Sequence, residues 1–225
     1  MLGIYSIQKF SSLDFPNKLC AILWFSGCNM RCPYCYNEDV VFGQKQIEEK
    51  DVIKFLKTRI GLLDGVSITG GEATLYKNLI NFLKEIKNLG FDIKLDTNGL
   101  NFDVIKKLLD LNLVDYVALD FKASKEKFYQ ITKTNKYEEF EKTLELLIDS
   151  KIEFEVRTTV HTDLLDENDI NKIIEILYNK GYKYKYYLQN FFDTQKGTIG
   201  NINSQKRKLD ITKIKKLIPI EYRNF

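Results

Sequence analysis

The sequence predicts an α/β protein whose core is a partial parallel barrel of six β/α units. Apolar runs of strand length alternate with longer stretches whose apolar residues recur at helical spacing, as in parallel sheets with right-handed crossovers. Small polar motifs follow several of these runs, and ligands bind at such strand ends in this class of fold. Six units are fewer than the eight of a closed barrel, so we expect the barrel to be incomplete.

The first half of the chain contains three of the predicted strands. Residues 1–18 show no clear period and include turn-forming residues at 14–17. The continuously apolar run 19–25 predicts a buried parallel strand. The elements that follow are a helix between about 47 and 60, a strand at 65–69, a helix at 76–89 closed by Gly90, and a strand at 91–95.

The second half of the chain continues the same alternation. Helices are predicted at 103–111, 137–150 and 166–180, the last with Asp166 as its N-cap, and a short basic helix is predicted at 210–217. Strands are predicted at 115–119, 152–160 and 182–192, the last strongly aromatic. No repeat or low-complexity tract divides the chain. We therefore expect one domain over 1–225, with its core at 18–192 and an extension at 193–225.

Composition and charge exclude several classes of function. The chain has 34 basic and 31 acidic residues, and the net charge of +3 is too weak to indicate nucleic acid as a partner. The N-terminus does not resemble a signal peptide, and no apolar run approaches the roughly 18 residues of a membrane span. We expect a cytoplasmic protein with reduced thiols and no membrane partner. A single histidine, His161, disfavours histidine-based catalysis, and we expect it to lie partly exposed in a loop.

Three of the four cysteines lie in one stretch with the spacing C-x3-C-x2-C: Cys28, Cys32 and Cys35. Thiolates bind zinc, copper(I) or iron–sulfur clusters. Structural zinc requires four ligands, whereas this stretch supplies three. A four-iron cluster held by three cysteines would leave one iron open to a substrate. Cys20 lies within the first predicted strand, and we expect it to be a small buried residue.

Polar motifs stand where the next predicted strands end. Gly70-Gly71-Glu72 follows the strand 65–69, and its glycines would let the backbone approach a ligand while its carboxylate would suit an ammonium group. Asp96-Thr97-Asn98 follows the next strand, and Asp120 with Lys122 follows the one after. Arg157 lies in the strand 152–160. The alternatives for these residues are ordinary turns, helix caps and structural ion pairs.

The cysteine spacing, with Tyr34 before the last cysteine and Gly70-Gly71-Glu72 at the next strand end, resembles the radical S-adenosylmethionine (SAM) superfamily. The resemblance implies a [4Fe–4S] cluster bound by Cys28, Cys32 and Cys35. It also implies that the amino and carboxylate groups of SAM chelate the open iron, with the amino group held by the segment 70–72. Reductive cleavage of SAM would then give methionine and a 5′-deoxyadenosyl radical.

Within that superfamily the chain resembles the activating enzymes of glycyl radical enzymes. The segment 10–37 is most similar to the activating protein of anaerobic ribonucleoside-triphosphate reductase, through LDFPNK at 13–18 and GCNMRCPYCYN at 27–37. The motif DTNG at 96–99 and the later Asp120, Lys122 and Arg157 are similar to pyruvate formate-lyase activating enzymes. The resemblance covers most of 10–192.

The resemblance assigns roles to these polar residues. Positions matching Asp96 and Asp120 would hold a monovalent cation near SAM, for which carboxylate oxygens are suitable ligands. Lys122 and Arg157 would contact SAM. The remaining candidates for SAM or substrate binding are Tyr34, Thr97, Asn98 and Gln189.

The resemblance also implies a reaction and its partners. The radical would take a hydrogen atom from a backbone glycine of a glycyl radical enzyme, expected to be anaerobic ribonucleotide reductase, with electrons from a flavodoxin-like donor. Tyr36 and Ala73 replace a frequent histidine and proline, and Gln189 is the nearest polar residue to a late histidine of the formate-lyase group. These departures argue against pyruvate formate-lyase as the partner. The alternatives are a radical enzyme acting on a small, deazapurine-type substrate and a non-enzymatic metal-binding module.

The basic residues near the C-terminus lie in and just before the predicted helix 210–217. We expect them to form a solvated helical face, with docking of an acidic partner as the alternative.

Overall fold

The computed structural model describes residues 1–194 and 197–225, which form two compact units. The first unit contains residues 1–29, 37–97 and 101–118, and the second contains 30–36, 98–100 and the described residues from 119 to 225. In the described part of the chain, no helix is both long enough and apolar enough to cross a membrane.

The first unit is a sheet with helices on one side. Its strands, neighbours in chain order, are β1 (Ile4–Ser11), β2 (Cys20–Phe25), β3 (Gly65–Gly70), β4 (Asp92–Thr97) and the start of β5 (Tyr116–Asp120). Its helices are α1 (Glu38–Val41), α2 (Glu49–Lys57), α3 (Leu79–Asn88) and α4 (Phe102–Asp110). β1 pairs antiparallel with β2, whereas β2, β3 and β4 are parallel.

The second unit continues the strand–helix alternation. Its strands, again neighbours in chain order, are the end of β5, β6 (Glu153–Val160), β7 (Tyr186–Asn190) and β8 (Ile220–Arg223). Its helices are α5 (Lys125–Thr132), α6 (Tyr137–Asp149) and α7 (Glu167–Asn179). β6 pairs in parallel with β7, and β7 in parallel with β8.

The two faces of the first sheet differ in chemistry. Leu23, Ile68 and Leu95 are fully buried on the helix-covered face, where burial of apolar side chains is the main stabilising contribution. Ser67 and Lys94 are register partners in the parallel pair of β3 and β4, so they share the opposite face. That face combines these two buried polar side chains with apolar ones such as Ile22, the register partner of Ser67.

The α/β class and all six predicted strands are confirmed. Four observed elements, β1, β8, α1 and α5, lie outside the predicted ones. The predicted basic helix at 210–217 is wrong, because the structure has a single 3-10 turn at Ile211–Lys213 followed by β8. Pro219 cannot continue a helix, and its carbonyl oxygen accepts a hydrogen bond of 2.8 Å from the N–H of Tyr186 as β8 joins β7.

Candidate functional site

In the first unit, the ends of β2 and β3 tie the glycine motif to the chain that leads into Cys28. The N–H of Gly71 donates to the carbonyl oxygen of Phe25, and the N–H of Glu72 donates to that of Gly27, both at 2.8 Å. A β-carbon on Gly71 would lie 2.0 Å from the Gly27 oxygen and 3.3 Å from the Cys28 Cβ. Only glycine allows this close backbone contact at position 71.

Gly70 completes the same contact through its backbone conformation. Its φ is +123°, a value that side-chain-bearing residues rarely adopt, and a β-carbon there would lie 2.4 Å from the backbone nitrogen and oxygen of Phe25. The two glycines therefore allow the loop after β3 to pack directly against the backbone at the end of β2, which most βα turns do not require.

The Glu72 carboxylate is buried, with its side chain anchored inside the first unit. Its Oε1 accepts hydrogen bonds from the Thr74 N–H at 3.2 Å, the Thr74 hydroxyl at 2.6 Å and the Thr97 hydroxyl at 2.9 Å. Glu72 is 1% exposed, so these bonds compensate for the loss of water around its charge. Glu72 and Thr97 thus hold the loop after β3 against the end of β4.

Asp96 at the end of β4 has a lysine and a threonine as partners. The ammonium group of Lys94 forms an ion pair with Oδ1 of Asp96, and the Thr69 hydroxyl donates to Oδ2 at 3.1 Å. The Lys94 side chain is 4% exposed and that of Asp96 is 16% exposed. The resemblance gave a role to Asp96, but Lys94 and Thr69 were missed.

In the second unit, the last two cysteines lie in a tight turn. The N–H of Cys35 donates to the carbonyl oxygen of Cys32 at 3.0 Å. A distant segment closes over this turn, since Ile199 N–H donates to the Cys35 oxygen at 2.9 Å and Gly200 N–H to the Pro33 oxygen at 3.0 Å. Burial raises the pKa of the Cys32 thiol to about 11, against a smaller opposing effect of Lys122.

Tyr34 lies between these cysteines in sequence and is buried. Burial raises the pKa of its phenol well above the usual value, so the hydroxyl stays protonated. That hydroxyl has no well-formed hydrogen bond within 1–194 and 197–225. It lies close enough to Cys32 to lower the pKa of that thiol slightly, but the contact lacks hydrogen-bond geometry. A buried donor is therefore aimed at the cysteine turn.

Asp120 joins two cationic side chains in the second unit. Lys122 Nζ lies 3.0 Å from its Oδ2, and Arg157 Nε lies 3.1 Å from its Oδ1. Burial opposes the charge of Lys122, but the Asp120 carboxylate outweighs it, and the pKa of the ammonium is raised well above the usual value. The predicted residues Asp120, Lys122 and Arg157 therefore come together as one charged cluster.

Gln189 shares a face with Arg157 and with a charged residue, Glu155, that sequence reasoning missed. In the parallel register Thr159 is opposite Gln189 and Arg157 is opposite Tyr187, so these four side chains point to the same side. Glu155, two residues before Arg157, is also on this face, and its carboxylate lies 3.9 Å from the Arg157 guanidinium. The alternation Glu-x-Arg at 155–157 is the signal that could have identified it.

Asn98 and Gly99 form a local turn in the second unit. The Asn98 side chain accepts a hydrogen bond from the Leu100 N–H at 3.1 Å, and the Gly99 carbonyl oxygen accepts one from the Thr143 hydroxyl at 2.7 Å. Gly99 has a φ of +78°, which favours glycine. These contacts match the turn interpretation of this motif and leave its role in binding as a prediction.

His161 is buried, and the expectation of a partly exposed loop residue is wrong. It is 1% exposed, its Nε2 lies 2.9 Å from the Asn203 carbonyl oxygen, and its ring packs 4.8 Å from that of Phe191. Its imidazole therefore fixes the segment that follows β7 against the end of β6.

Comparison with known proteins gives one family and several relatives. The family model described as the Radical SAM superfamily matches residues 22–183. A Methanocaldococcus jannaschii protein that bears the provisional name glycyl-radical enzyme activating enzyme is 35% identical over 180 residues, which cover 76% of this chain and 73% of that protein. The pyruvate formate-lyase 1-activating enzyme of Escherichia coli K12 is 33% identical over 137 residues, covering 56% of this chain and 54% of that enzyme.

Solved structures share the fold at lower sequence identity. Streptococcus suis SuiB matches with a TM-score of 0.67 and 14% identity, over 88% of this chain and 47% of SuiB. The protein anSMEcpe, solved with bound AdoMet, matches with a TM-score of 0.61 and 22% identity, over 74% of this chain and 49% of that chain. The family match extends over most of the chain and includes the cysteine motif. The chain therefore belongs to the radical SAM superfamily of enzymes, and this membership implies a [4Fe–4S] cluster and SAM as its cofactors.

Proposed function

We propose that this enzyme cleaves SAM reductively at a [4Fe–4S] cluster and generates a glycyl radical on a partner enzyme, anaerobic ribonucleotide reductase. A flavodoxin-like protein supplies the electron. The observation that carries the proposal is the backbone pairing of Gly71 and Glu72 with the chain that leads into Cys28. The named relative from M. jannaschii supports the glycyl-radical assignment, because the match covers three quarters of this chain.

The residues of the cysteine stretch suit an iron–sulfur cluster. Among the described residues, Cys28, Cys32 and Cys35 form no disulfide, and thiolates are the usual ligands of iron in such clusters. The buried Tyr34 hydroxyl is a donor without a well-formed hydrogen bond among the described residues, and cluster or ligand sulfur would accept from it. The raised pKa of Cys32 means that binding releases its proton.

The glycine motif and the charged clusters would bind and orient SAM. The loop at 70–72 is held rigid by the buried Glu72 carboxylate, and its backbone carbonyl oxygens would accept hydrogen bonds from an ammonium group. Lys122 and Arg157 offer positive charge for a carboxylate or a ribose oxygen. When bound, the cluster and SAM supply the reducing electron and the 5′-deoxyadenosyl radical that removes the glycine hydrogen.

The first experiment tests SAM cleavage. The protein is reconstituted anaerobically, its iron and sulfide are measured, and dithionite and SAM are added. We expect methionine and 5′-deoxyadenosine as products. Their absence from a preparation that contains the cluster and binds SAM would contradict the proposal.

The second experiment identifies the hydrogen donor. Anaerobic ribonucleotide reductase labelled with α-deuterated glycine is added, and the sample is followed by electron paramagnetic resonance and mass spectrometry. We expect a glycyl radical signal and deuterium in 5′-deoxyadenosine. Cleavage of SAM without a protein radical, together with a modified metabolite, would instead favour the small-molecule alternative. Zinc bound without any SAM affinity would favour the metal-binding module.

A further inference from the structure

The sheet face of the first unit that carries Ser67 also contains a buried lysine that the proposed function does not use. Lys94 lies in the middle of β4 and is almost completely buried, which is rare for lysine unless the charge is paired. Its ammonium group forms an ion pair with Asp96, which lies two residues further along the same strand. Ser67, its register partner on β3, places a buried hydroxyl on the same face.

Asp96 is one of the two positions at which the resemblance implies a monovalent metal ion. Such an ion needs oxygen atoms with available lone pairs around it. At Asp96, one carboxylate oxygen is paired with the Lys94 ammonium and the other accepts the Thr69 hydrogen bond. Lysine donates hydrogen bonds and has no lone pair for a metal ion, so an ion here would lie beside a like charge. The residues present do not fit a metal ion at Asp96.

Asp120 independently shows the same arrangement in the second unit. It is the other carboxylate to which the resemblance assigns the ion, and it is paired with both Lys122 and Arg157. Each of these two aspartates therefore has a cationic side chain of this chain as its partner.

We propose that the ε-ammonium of Lys94 is the permanent counter-ion of Asp96, and that this site takes no monovalent metal ion. Lys94 is then a positioning residue. It fixes the orientation of the Asp96 carboxylate and balances its charge in a poorly hydrated setting. The effect on SAM affinity rests on the proposed function.

The first test measures SAM affinity of the cluster-loaded enzyme by calorimetry with tetramethylammonium, sodium or potassium as the monovalent cation at matched ionic strength. We expect the wild-type dissociation constant to vary by less than about twofold, because the counter-ion is a side chain. Lys94→Met keeps most of the apolar stem and removes the charge. It should bind SAM about tenfold more weakly in tetramethylammonium and regain most of that affinity with potassium or sodium.

The matched control is Lys106→Met, which removes the lysine of an exposed pair with Asp110 in α4 and should behave as wild type. A wild-type affinity that rises about fivefold or more with sodium or potassium would overturn the proposal. So would a Lys94→Met variant that binds SAM as wild type does and ignores the cation.

A second measurement needs neither cluster nor SAM. It therefore tests the proposal even if the Lys94→Met variant does not fold. Lysine is isotope-labelled in the unloaded chain, and ammonium signals protected from exchange are recorded by NMR. Among the protected signals we expect one that Lys94→Arg removes and that added sodium or potassium leaves unchanged. No protected Lys94 signal, or one that shifts with either ion, would overturn the proposal. A wild type that shows the signal but binds no SAM would contradict the proposed function and leave this inference standing.

Discussion

At position 71 a single methyl group would collide with the backbone that enters the cysteine stretch. The β-carbon of Gly71→Ala would meet the Gly27 carbonyl oxygen at 2.0 Å, and backbone cannot move aside as a flexible side chain can. We expect a loss of about 1–3 kcal/mol in the free energy of unfolding, as for other overpacked sites. Denaturant unfolding of the unloaded chain measures this loss, and SAM affinity of the loaded enzyme should fall with it.

Gly3→Ala is the matched control for this substitution. Its β-carbon would lie 3.1 Å from the Cβ, Cγ and Cδ of Lys45, so a shift of only a few tenths of an ångström would relieve the contact. We expect a change within about 0.5 kcal/mol. Equal losses for the two variants would show that the close contact at Gly71 has no special importance.

The four cysteines should differ in what their removal does to iron content. Cys20 lies fully buried in β2, away from the cysteine motif in sequence, and burial raises the pKa of its thiol to about 11. We expect Cys20→Ala to bind iron as the wild type does, at a cost of about 1 kcal/mol in stability. Cys32→Ala should lose the cluster, measured as iron and sulfide per chain and as the visible absorption band. Iron loss in both variants, or in neither, would contradict the assignment of the ligands.

Lys94 and Glu155 show which part of the candidate site escaped sequence reasoning. Side chains two residues apart on a strand share a face. This alternation indicates two charged pairs, Lys94 with Asp96 and Glu155 with Arg157. Which face is buried does not follow from the alternation, because both faces of these strands are covered by the protein. The motif residues could be named from the cysteine spacing, the strand ends and the family resemblance, whereas the residues that neutralise and orient them required coordinates.

At the scale of elements, a charged contact connects the first residue of α7 to the C-terminal segment. The Arg207 guanidinium forms two hydrogen bonds to the Glu167 carboxylate, at 2.7 and 3.0 Å, and the Asp210 N–H donates to the same carboxylate at 2.7 Å. The hydrogen bond from Arg207 is the main reason that the pKa of Glu167 is lowered from 4.5 to about 2. The charged form of Glu167 is therefore stabilised only in the folded chain.

This lowered pKa predicts how stability depends on pH. A depressed folded pKa contributes stability that is complete above pH 4.5 and is lost as pH falls towards about 2. Because Arg207 is 45% exposed, we expect Glu167→Gln to cost only about 1 kcal/mol at neutral pH, and this difference from wild type should shrink as pH falls below 4.5. Glu153→Gln, at an exposed position in β6, is the control and should follow wild type. A difference that stays constant with pH would contradict the assignment.

The central elements were predictable because their apolar residues repeat with a clear period. β2, β3 and β4 bury apolar residues on the helix side, and α7 begins after Asp166, the N-cap that the sequence predicts. β1 and β8 lack that signal. β1 has intermediate or exposed side chains over most of its length, and all four residues of β8 are half-buried. Their pairing with neighbouring strands decides their structure, and local sequence carries little information about it.

At the scale of the whole chain, the last two cysteines are held by residues from the far end of the sequence. Ile199 and Gly200 donate backbone hydrogen bonds to Cys35 and Pro33, and His161 and Thr162 secure the segment that brings them there. Spacing within 27–37 predicted the cysteine ligands but could not predict this cover. The region beyond 192 therefore has a structural connection to the cysteine turn, in addition to any role in choosing the partner.

Gly200 offers a test of this long-range connection. A β-carbon at position 200 would lie 2.5 Å from the Pro33 Cβ and 3.0 Å from the Pro33 carbonyl oxygen, so Gly200→Ala must displace the turn or the segment covering it. We expect the variant to fold but to lose iron to a chelator about tenfold faster than wild type, although residue 200 is not a ligand, because residues that orient metal ligands typically affect metal affinity by 10–100-fold. Gly197→Ala is the control, because it strains the same segment at a φ of +81° while its β-carbon would meet none of the described residues within 4 Å. If the cover supports the cysteine turn, only Gly200→Ala should release iron faster, whereas equal rates in the two variants would mean that general loosening of the segment is responsible.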